Sequence, residues 1–538
     1  MVKDMTIFIP ALKKRVVFQD DLVKKLAGVT LIQRAINKAL EFGGCHNRIH
    51  VLTDSDEIRL IAERNGVACY YDPPLIFDDT AASSDVIRYM IDASRSGSFI
   101  LVLSPYAPLL SSDMVVQAVE TLAMASEDIL KPLARVPVRS GVHNGTCGLS
   151  AIFSTERFET EMLAAAFVVF KCSFLEHGMR KRPAILHWLM PTPSHEINSF
   201  HDWWVCEKLI QRKRIVFRVI GNKEVGMGHI YRALSIAHEI VNHEVLFVTD
   251  AKNAVAVNQL AGYDYWLETY KPEEVVDRII GLKPDLVVND MLATSVDDVL
   301  PLQKEGIRVV NFEDLGYGAA FADLTINELY DVPQIPGDRI LWGHKYFFVR
   351  DEFHDAHAHR FKARVSDLLI TFGGTDQHNL SKCVLLSVYR LCKDRGVHIH
   401  IAVGAGYAGY DDLETLIQSL DGFVTLTRAT GVISRIMEKC QVAITSNGRT
   451  VYELAHMNIP AIVISQHDRE KTHEFACEDN GFISIGLYRE RETEKRVVDA
   501  LIRLLDDEAY RHTLFSKTTR FQFSKNKQHV IQLINSLL

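Results

Sequence analysis

RIVFRVIGNKEVGMGHIYRALSIA, residues 214–237, places an apolar run, a glycine turn and an amphipathic stretch in direct succession. The apolar run predicts a buried strand, and the apolar positions after the turn recur at helical spacing. Glycines allow a tight backbone and the close approach of a ligand, while free N–H groups at a helix start favour an anion. This strand–turn–helix unit is typical of a parallel α/β fold with a ligand at the turn.

His229 stands at the mouth of this turn, at the start of the predicted helix. Histidine is the side chain whose ordinary titration range best suits proton transfer near neutral pH. The pattern therefore predicts a catalytic base. A glycine turn followed by a histidine that only caps the helix would give the same letters, so the motif alone leaves both interpretations open.

Two further glycine turns follow at large separations. TFGGTD (371–376) ends an apolar run, and TSNGRTVYELA (445–455) again gives strand, turn and helix. The N–H groups around Asn447 to Thr450 suit a diphosphate. Glu453, one turn inside the predicted helix, could accept hydrogen bonds from ribose hydroxyls, although glutamate is also common in a first helical turn.

The 538 residues are too many for one ordinary core, and the alternation of strands and helices restarts twice, at residues 214 and 367. The sequence therefore predicts an α/β protein of three layered units, with boundaries at 1–211, 213–355 and 360–538. Residues 137–193 give no clear pattern.

The bulk composition narrows the function classes. Hydrophobic residues make up 47% and charged residues 24% of the chain, as in folded globular proteins, and the net charge of -8 makes nucleic acid an unexpected partner. The nine cysteines form no CxxC pair, which favours reduced thiols. No apolar run is long enough to span a bilayer, and the first residues do not resemble a signal peptide, so we expect a cytoplasmic protein.

Several segments between Arg218 and Gly486 resemble a known family when taken in order. They are GMGHIYRALSIA, KPDLVVND, DLTIN, LWGHKYFFVRDEF, LLITFGGTDQHN and SNGRTVYELAHMNIPAIVIS. The family is that of the UDP-sugar hydrolase of the pseudaminic acid pathway and its relatives in spore-coat polysaccharide synthesis. The resemblance implies the two-lobed glycosyltransferase B fold, with UDP on the second lobe and the sugar facing the first.

By the same resemblance, His229 activates a water that attacks the anomeric carbon, and no metal or other cofactor takes part. The substrate contacts that the resemblance implies lie in both lobes: Arg218, Gly226, Gly228, Arg232, Asp290, Gly373, Gly374, Thr375, Asn447, Gly448, Thr450 and Glu453. Two positions depart from the family pattern. Ile220 stands where an acid is usual, and Arg449 adds a cation where the diphosphate is expected.

The segments before residue 207 resemble the CMP-sialic acid synthetases, cytidylyltransferases that couple CTP to nonulosonic acids with Mg²⁺. The supporting segments are IFIPA, VLTDSDEIRLIAERNG, DDTAASSDVIRYMI, LVLSPYAPL and HEINSFHDWWVCEKL. The resemblance implies a Rossmann-like nucleotidyltransferase domain that binds its nucleotide through Pro10, Ala11, Lys24, Lys25, Thr53, Asp54, Ser84, Asp85 and Ser104. It places a metal at Glu196 and Asn198 and allows a homo-oligomer through this domain.

The chemistry of that family is preserved poorly. No glycine occurs between the start and Gly28, so backbone N–H groups cannot crowd a triphosphate in the usual way. Lys13, Lys14, Arg15, Lys24 or Lys25 could supply cations instead, although a short basic run is more often a solvated surface. Asn198 offers only a neutral oxygen to Mg²⁺. We therefore expect weak or absent CMP transfer.

Three readings of the whole chain remain. The leading one joins a divergent cytidylyltransferase-like domain to a UDP-sugar hydrolase of nonulosonic acid or surface polysaccharide synthesis. The second makes the C-terminal part a glycosyltransferase with a UDP-sugar donor. The third is a nucleotide-binding scaffold without activity. No exposed apolar or basic stretch is apparent near the glycine turn at 226–228, and this favours hydrolysis over transfer to an acceptor.

Overall fold

A computed structural model gives the structure of most of the chain. It describes residues 5–13, 18, 20–42, 45–72, 84–95, 97–138, 158–176, 182–191, 195–222, 227–404, 406–420, 422–428 and 431–538. The chain divides into two compact units, an N-terminal unit of residues 1–212 and a C-terminal unit of residues 213–538. None of the helices in the described ranges combines the length and the hydropathy that a bilayer-spanning segment requires.

The N-terminal unit is built on one mixed sheet. The strands of the unit are β1 (Met5–Pro10), β2 (Lys25–Leu26), β3 (Val29–Thr30), β4 (Ile49–Thr53), β5 (Ala68–Tyr71), β6 (Phe99–Leu103), β7 (Ile129–Val138), β8 (Phe158–Leu163), β9 (Phe167–Lys171) and β10 (Ile185–Leu189). β2 and β3 form a separate two-stranded antiparallel sheet. The helices of the unit are α1 (Leu31–Glu41), α2 (Asp56–Arg64), α3 (Ser84–Ser94), α4 (Ser112–Met124), α5 (Cys172–Glu176) and α6 (Phe200–Ile210).

In the mixed sheet the described strands follow the order β10-β7-β9-β6-β1-β4-β5, and β8 pairs with β7. β1, β4, β5 and β6 are parallel, which is the Rossmann-like part that the sequence predicts. β9 runs antiparallel to both β6 and β7. The strands between residues 129 and 189 therefore form the mixed part of the sheet. Much of this stretch gives no clear pattern in the sequence, because strands at the edge of a mixed sheet need no continuous apolar run.

The C-terminal unit contains two separate parallel sheets. The strands are β11 (Arg214–Val219), β12 (Glu244–Asp250), β13 (Trp266–Tyr270), β14 (Leu286–Asp290), β15 (Arg308–Phe312), β16 (Leu324–Asn327), β17 (Ile340–Trp342), β18 (Asp367–Thr371), β19 (His398–Val403), β20 (Val424–Arg428), β21 (Val442–Ser446), β22 (Ala461–Ser465) and β23 (Phe482–Leu487).

The helices of this unit lie between the strands and after them. They are α7 (Gly228–Ala237), α8 (Ala254–Leu260), α9 (Val275–Gly281), α10 (Val296–Lys304), α11 (Leu380–Arg395), α12 (Tyr410–Gln418), α13 (Ser434–Met437), α14 (Arg449–His456), α15 (Asp468–Lys471), α16 (Glu492–Asp506), α17 (Glu508–Thr518) and α18 (Asn526–Asn535).

Both sheets have the doubly wound order of a dinucleotide-binding fold. The first lobe is built on the sheet β13-β12-β11-β14-β15-β16-β17, and the second lobe on β20-β19-β18-β21-β22-β23. In each sheet the order of the strands reverses beside the strand that comes first in the chain. The reversal lies between β11 and β14 in the first lobe and between β18 and β21 in the second lobe. Ligands of such sheets bind outside the carboxyl ends of the strands at this switch point. The fold is therefore the two-lobed α/β arrangement that the sequence predicts, with a favoured binding position in each lobe.

The C-terminal helix α18 does not stay with the second lobe. Val530 and Ile534 on this helix are fully buried, in the same apolar core as Ile215 and Ile230 of the first lobe. The side-chain amide of Asn526 donates to the carbonyl oxygen of Phe347 at 2.8 Å. The first lobe is thus completed by the end of the chain, which differs from the simple boundary at residues 355–360.

We predict that Ile534→Ala destabilises the C-terminal unit through the core of the first lobe. Removing a fully buried isoleucine side chain down to the β-carbon costs about 2–5 kcal/mol, from lost burial and the cavity left behind. Urea unfolding of residues 213–538 measures this free energy. Gln528→Ala changes an exposed position of the same helix and should leave the midpoint nearly unchanged. Equal midpoints for Ile534→Ala and the parent would show that α18 is not part of the first-lobe core.

Candidate active site

A cleft of about 770 Å³ lies in the C-terminal unit and is lined by residues of both lobes. The segments that form it follow β11 and β18 or stand after β14 and β21, which are the strands on either side of the two switch points. The first-lobe wall begins at Met227 and Gly228, because residues 223–226, including Gly226, lie outside the described residues. The glycine turn that the sequence indicates and the switch point of the sheet therefore both lie at this cleft.

His229 is fixed by a buried carboxylate. Its Nδ1 lies 2.6 Å from Oδ1 of Asp290, the last residue of the neighbouring strand β14. Burial alone would raise the pKa of Asp290, but the charge and hydrogen bonds of Arg232 and His229 hold the pKa below its ordinary value. An ionised carboxylate can only accept, so Nδ1 of His229 carries the proton and donates it. Nε2 is then the ring atom with a free electron pair, and His229 lines the cleft.

Arg232 completes this arrangement one turn along α7. Its side chain has no exposed surface, and Nε donates to Oδ2 of Asp290 at 2.8 Å. The terminal nitrogen Nη1 donates to Glu313 at 3.0 Å and to Glu328 at 2.8 Å. Burial would lower the pKa of Arg232, but these carboxylates raise it, so the guanidinium is permanently charged. The pKa of Glu313 is held low against its burial by His229, Arg232 and Arg469.

Two arginines of the second lobe reach the same carboxylates. Nη1 of Arg449 is hydrogen-bonded to Glu328, and Nη2 of Arg469 donates to the carbonyl oxygen of Glu313 at 2.9 Å. A side chain at position 228 would have its Cβ 3.2 Å from Cδ of Arg449, so a glycine there gives the arginine room. These contacts join the lobes beside His229.

The glycine turns form the second-lobe wall. Gly373, Gly374 and Thr375 line the cleft after β18, and Gly448 and Thr450 line it at the start of α14. The end of β19 packs against the first turn so closely that a Cβ at Gly404 would lie 2.4 Å from the carbonyl oxygen of Gly374. This close packing leaves the backbone N–H groups of two turns near the cleft, where an anion can use them.

Glu453 lines the cleft as well, but its carboxylate already has a partner. Oε1 accepts from Nε of Arg350 at 2.9 Å, and Arg350 also pairs with Glu352 at 2.9 Å. The pKa of Arg350 is raised by the two carboxylates although burial opposes this. Glu453 is therefore held in one orientation by a residue of the segment that links the lobes.

Four of the predicted substrate contacts do not line the cleft. Arg218 pairs with Asp298 at 2.6 Å, and Arg232 and Asp290 are enclosed behind His229. The side-chain amide of Asn447 donates to the carbonyl oxygens of Glu470 at 2.7 Å and His473 at 2.9 Å. The polar groups of these four residues are bonded within the protein. We therefore assign these residues to the support of the site and not to direct contact with a substrate.

Other cleft residues escaped the sequence reasoning: Glu313, Arg350, Arg449, Arg469, Glu470 and His473. Only Arg449 carried a signal, as the cation that departs from the family turn. Glu470 is notable because burial raises the pKa of its carboxyl to about 7, against hydrogen bonds from the backbone N–H groups of Gln466 and Asn447. Glu470 lies outside the segments that resemble the family, so no local pattern pointed to this residue.

An apolar and aromatic wall also escaped the sequence reasoning. Tyr231, Leu234 and His238 follow His229 on α7 or directly after it, and together with Tyr263 they line the first-lobe side of the cleft. Tyr263 is 37% exposed. The expectation that no apolar surface lies near the glycine turn is therefore wrong, since helix α7 and the loop before β13 bring these side chains together.

In the N-terminal unit, several predicted nucleotide contacts gather at one sheet edge. Pro10 and Ala11 lie at the end of β1, Thr53 and Asp54 at the end of β4, and Ser104 directly after β6, and these three strands are adjacent and parallel. Ser84 and Asp85 stand exposed at the start of α3, and Lys25 lies in β2. Nζ of Lys24 stacks over the ring of Phe18 at 5.2 Å. The topology thus allows a nucleotide site at the ends of β1, β4 and β6.

Of the cations expected to replace the glycine loop, Lys24 and Lys25 are described and exposed, whereas Lys13 is paired with two acids. Nζ of Lys13 lies 2.8 Å from Glu57 and 3.4 Å from Asp20, and the hydrogen bond that Lys13 donates to the Glu57 carboxylate raises the pKa of Lys13. Lys14 and Arg15 lie outside the described residues. Because the ammonium group of Lys13 already has two acidic partners, it is poorly placed to bind a phosphate group.

The proposed metal ligands also have protein partners. The carboxylate of Glu196 accepts from the backbone N–H groups of Ala165 and Ala166, and the Asn198 side chain donates to the carbonyl oxygen of Glu196. Within the described ranges, no group of three His, Cys, Asp or Glu residues is placed to hold a metal ion. This arrangement fits Mg²⁺ poorly, and the metal site stays a prediction.

Comparison with known proteins gives matches for both parts of the chain. Residues 22–160 match the family model described as a cytidylyltransferase. The chain is 22% identical over 275 residues to the spore coat polysaccharide biosynthesis protein SpsG of Bacillus subtilis, covering 48% of this chain and 80% of that protein. It is 25% identical over 270 residues to an uncharacterized protein of Methanocaldococcus jannaschii, covering 47% of this chain and only 55% of that protein.

Among solved structures, MurG of Acinetobacter baumannii aligns with 60% of this chain and 99% of its own, at 14% identity and a TM-score of 0.44. The chain is therefore similar to a cytidylyltransferase family over residues 22–160 of its N-terminal unit and to SpsG over 48% of its length, and its C-terminal unit has two doubly wound α/β lobes.

Proposed function

We propose that the C-terminal unit is a nucleotide-sugar enzyme that cleaves the bond between the anomeric carbon and the diphosphate of a UDP-sugar. Its place would be in the biosynthesis of a surface polysaccharide or of a nonulosonic acid, as the name of SpsG suggests for that relative. The observation that carries the proposal is the His229–Asp290 pair, which opens into a cleft whose opposite wall consists of two glycine turns.

His229 acts as the general base in this proposal. Asp290 accepts a hydrogen bond from the Nδ1–H group, so Nε2 can take a proton from the attacking hydroxyl group. Asp290 also stabilises the imidazolium that forms, and Arg232 keeps Asp290 ionised during the step. The role needs no metal, because the charge that develops is met by fixed protein groups.

The leaving group departs towards the second lobe. The oxygen of the nucleophile bonds to the anomeric carbon, the bond from that carbon to the phosphate oxygen breaks, and its electron pair stays on the diphosphate. The turns at Gly373 and Gly448 and the start of α14 supply N–H groups for that negative charge. Glu453, oriented by Arg350, would accept from the ribose hydroxyls.

Water is the nucleophile in the leading form of the proposal, which yields UDP and the free sugar. A second candidate is transfer to an acceptor hydroxyl. The wall of Tyr231, Leu234, His238 and Tyr263 favours it, because it offers an acceptor an aromatic and apolar surface on the side of His229.

The N-terminal unit is proposed to be a divergent member of the cytidylyltransferase family with weak CMP transfer. The support is the engaged side chain of Lys13 and the lack of a glycine loop before Gly28. CTP, a nonulosonic acid, Mg²⁺ and self-association through this unit are proposed for it on the resemblance alone, as is a cytoplasmic location.

The two chemistries are separated by incubating the full chain with UDP-linked diacetamido-trideoxy sugars, with and without candidate acceptors. UDP release without an acceptor supports hydrolysis, and UDP release only with an acceptor supports transfer. Binding of UDP without any turnover would support a nucleotide-binding scaffold and overturn the proposed chemistry.

We predict that His229→Asn lowers kcat by roughly 10²–10⁴-fold, the usual contribution of a positioned general base. KM should change little, because the lost interaction belongs to the transition state. Steady-state kinetics and thermal unfolding of the same variant make the test. If kcat stays within a few-fold of the parent while the melting temperature falls, His229 is only a structural residue of α7.

Asp290→Asn serves as the companion variant. An amide can donate to Nδ1, which would favour the tautomer with the proton on Nε2 and remove the base without touching the histidine. A fall in kcat of the same order as for His229→Asn is expected. Full activity in a folded Asp290→Asn protein would remove the tautomer argument.

A third prediction concerns Glu453. Glu453→Ala should weaken UDP binding by about 10–100-fold, since hydrogen bonds to a charged group contribute about 1.5–3 kcal/mol. Calorimetry with UDP measures the affinity. Arg350→Gln keeps the carboxylate and removes only its partner, so its loss should be clearly smaller. Equal losses for the two variants would mean that Glu453 serves to anchor Arg350 and does not touch the ribose.

A further inference from the structure

Arg449 is the first residue of α14, directly after the glycine that follows β21. It lies between Gly448 and Thr450, which both line the cleft, and lines the cleft itself. Its side chain does not lie along its own lobe. The distance between Cδ of Arg449 and a Cβ built at Gly228 would be only 3.2 Å. Arg449 therefore bridges from the turn expected to hold the diphosphate to the helix that carries His229.

Two kinds of contact fix the guanidinium in this position. Nη1 is hydrogen-bonded to Glu328, and Nη2 donates to the carbonyl oxygen of Phe348 at 3.2 Å. The group also lies over the ring of Phe347, 4.6 Å from its centroid. A flat cation held on one edge and one face keeps its orientation when a ligand arrives, so it is preorganised for binding.

The remaining donors of Arg449 are free to meet an anion. A guanidinium has five N–H groups, and within the described part of the chain hydrogen bonds are made by two of its nitrogens, Nη1 and Nη2. The Nε–H group and one N–H on each terminal nitrogen remain. The side chain is 14% exposed, on the cleft side. A fork of this kind matches the oxygens of a phosphate group.

The surroundings of Arg449 favour an added negative charge. Burial and the neighbouring guanidinium of Arg232 lower the pKa of Arg449 to about 10, against the pull of Glu313, Glu453 and Asp290. The group is still a cation at neutral pH. Two guanidinium groups share Oε1 of Glu328, so the single carboxylate is divided between them. A phosphate oxygen at Arg449 would give this guanidinium an anionic partner that it does not share with Arg232.

We propose that Arg449 is a further catalytic residue, which donates hydrogen bonds to the sugar-linked phosphate and stabilises the charge it gains as the glycosidic bond breaks. The inference rests on the proposed cleavage of a nucleoside diphosphate sugar. In that step the nucleophile loses a proton to Nε2 of His229, its oxygen bonds to the anomeric carbon, and the bond between that carbon and the phosphate oxygen breaks. The electron pair remains on the outer phosphate, where Arg449 meets it.

The test compares two nucleotides that differ by the outer phosphate. Affinities of UDP and UMP for the full chain are measured by calorimetry, for the parent, Arg449→Met and Arg449→Lys. Arg449→Met should lose about 10–100-fold in affinity for UDP and stay within about twofold of the parent for UMP. Arg449→Lys keeps the positive charge without the forked arrangement of donors. Its affinity for UDP should therefore lie between those of the parent and Arg449→Met.

The matched control is Arg428→Met, which removes an arginine stacked 4.4 Å above the ring of Tyr410 and outside the cleft. It should leave both affinities unchanged. Equal losses of UDP and UMP affinity in Arg449→Met would overturn the inference while the proposed function stands. A parent protein that binds neither nucleotide would overturn both. With active substrate, kcat of Arg449→Met should fall together with kcat/KM, and an unchanged kcat would contradict a role in the transition state.

Discussion

The buried guanidinium of Arg232 is the interaction on which the C-terminal unit depends. A charge without exposed surface is tolerated only where partners satisfy it, and Arg232 has carboxylates from three strand ends, Asp290, Glu313 and Glu328. Each of these residues comes from a different segment of the first lobe. The cation therefore fixes the carboxyl edge of the sheet as a unit, and through Asp290 it also fixes the orientation of His229.

The spacing of α7 makes this possible. His229 and Arg232 are three residues apart, so they lie on the same face of the helix, and the helix starts directly at the glycine turn. A sequence reader can see the histidine and the turn, because both belong to one local pattern. The carboxylates are separated from Arg232 by 58 to 96 residues, and only the fold shows that they meet.

The same distinction explains what the sequence could predict elsewhere. Apolar runs such as IVFRV and LLIT predicted the parallel strands of both lobes, since buried parallel strands need such runs. The weakly apolar edge strands β13, β17 and β20 gave no comparable signal. Family resemblance pointed to Gly373 and Thr450, and both residues line the cleft. It failed to distinguish residues that face the cleft from those that support it, as with Arg218 and Asn447, because motif letters do not record which way a side chain points.

The charges beside His229 are balanced only by both lobes together. On the first lobe, Arg232 faces three carboxylates, an excess of two negative charges, and the second lobe supplies Arg449 and Arg469 against Glu328 and Glu313. Separation of the lobes would leave the acids of one wall and the cations of the other uncompensated at low dielectric. Opening of this cleft would therefore break ion pairs between the two lobes. Mobile salt ions, or the diphosphate itself, would have to replace the partners that each wall gives up.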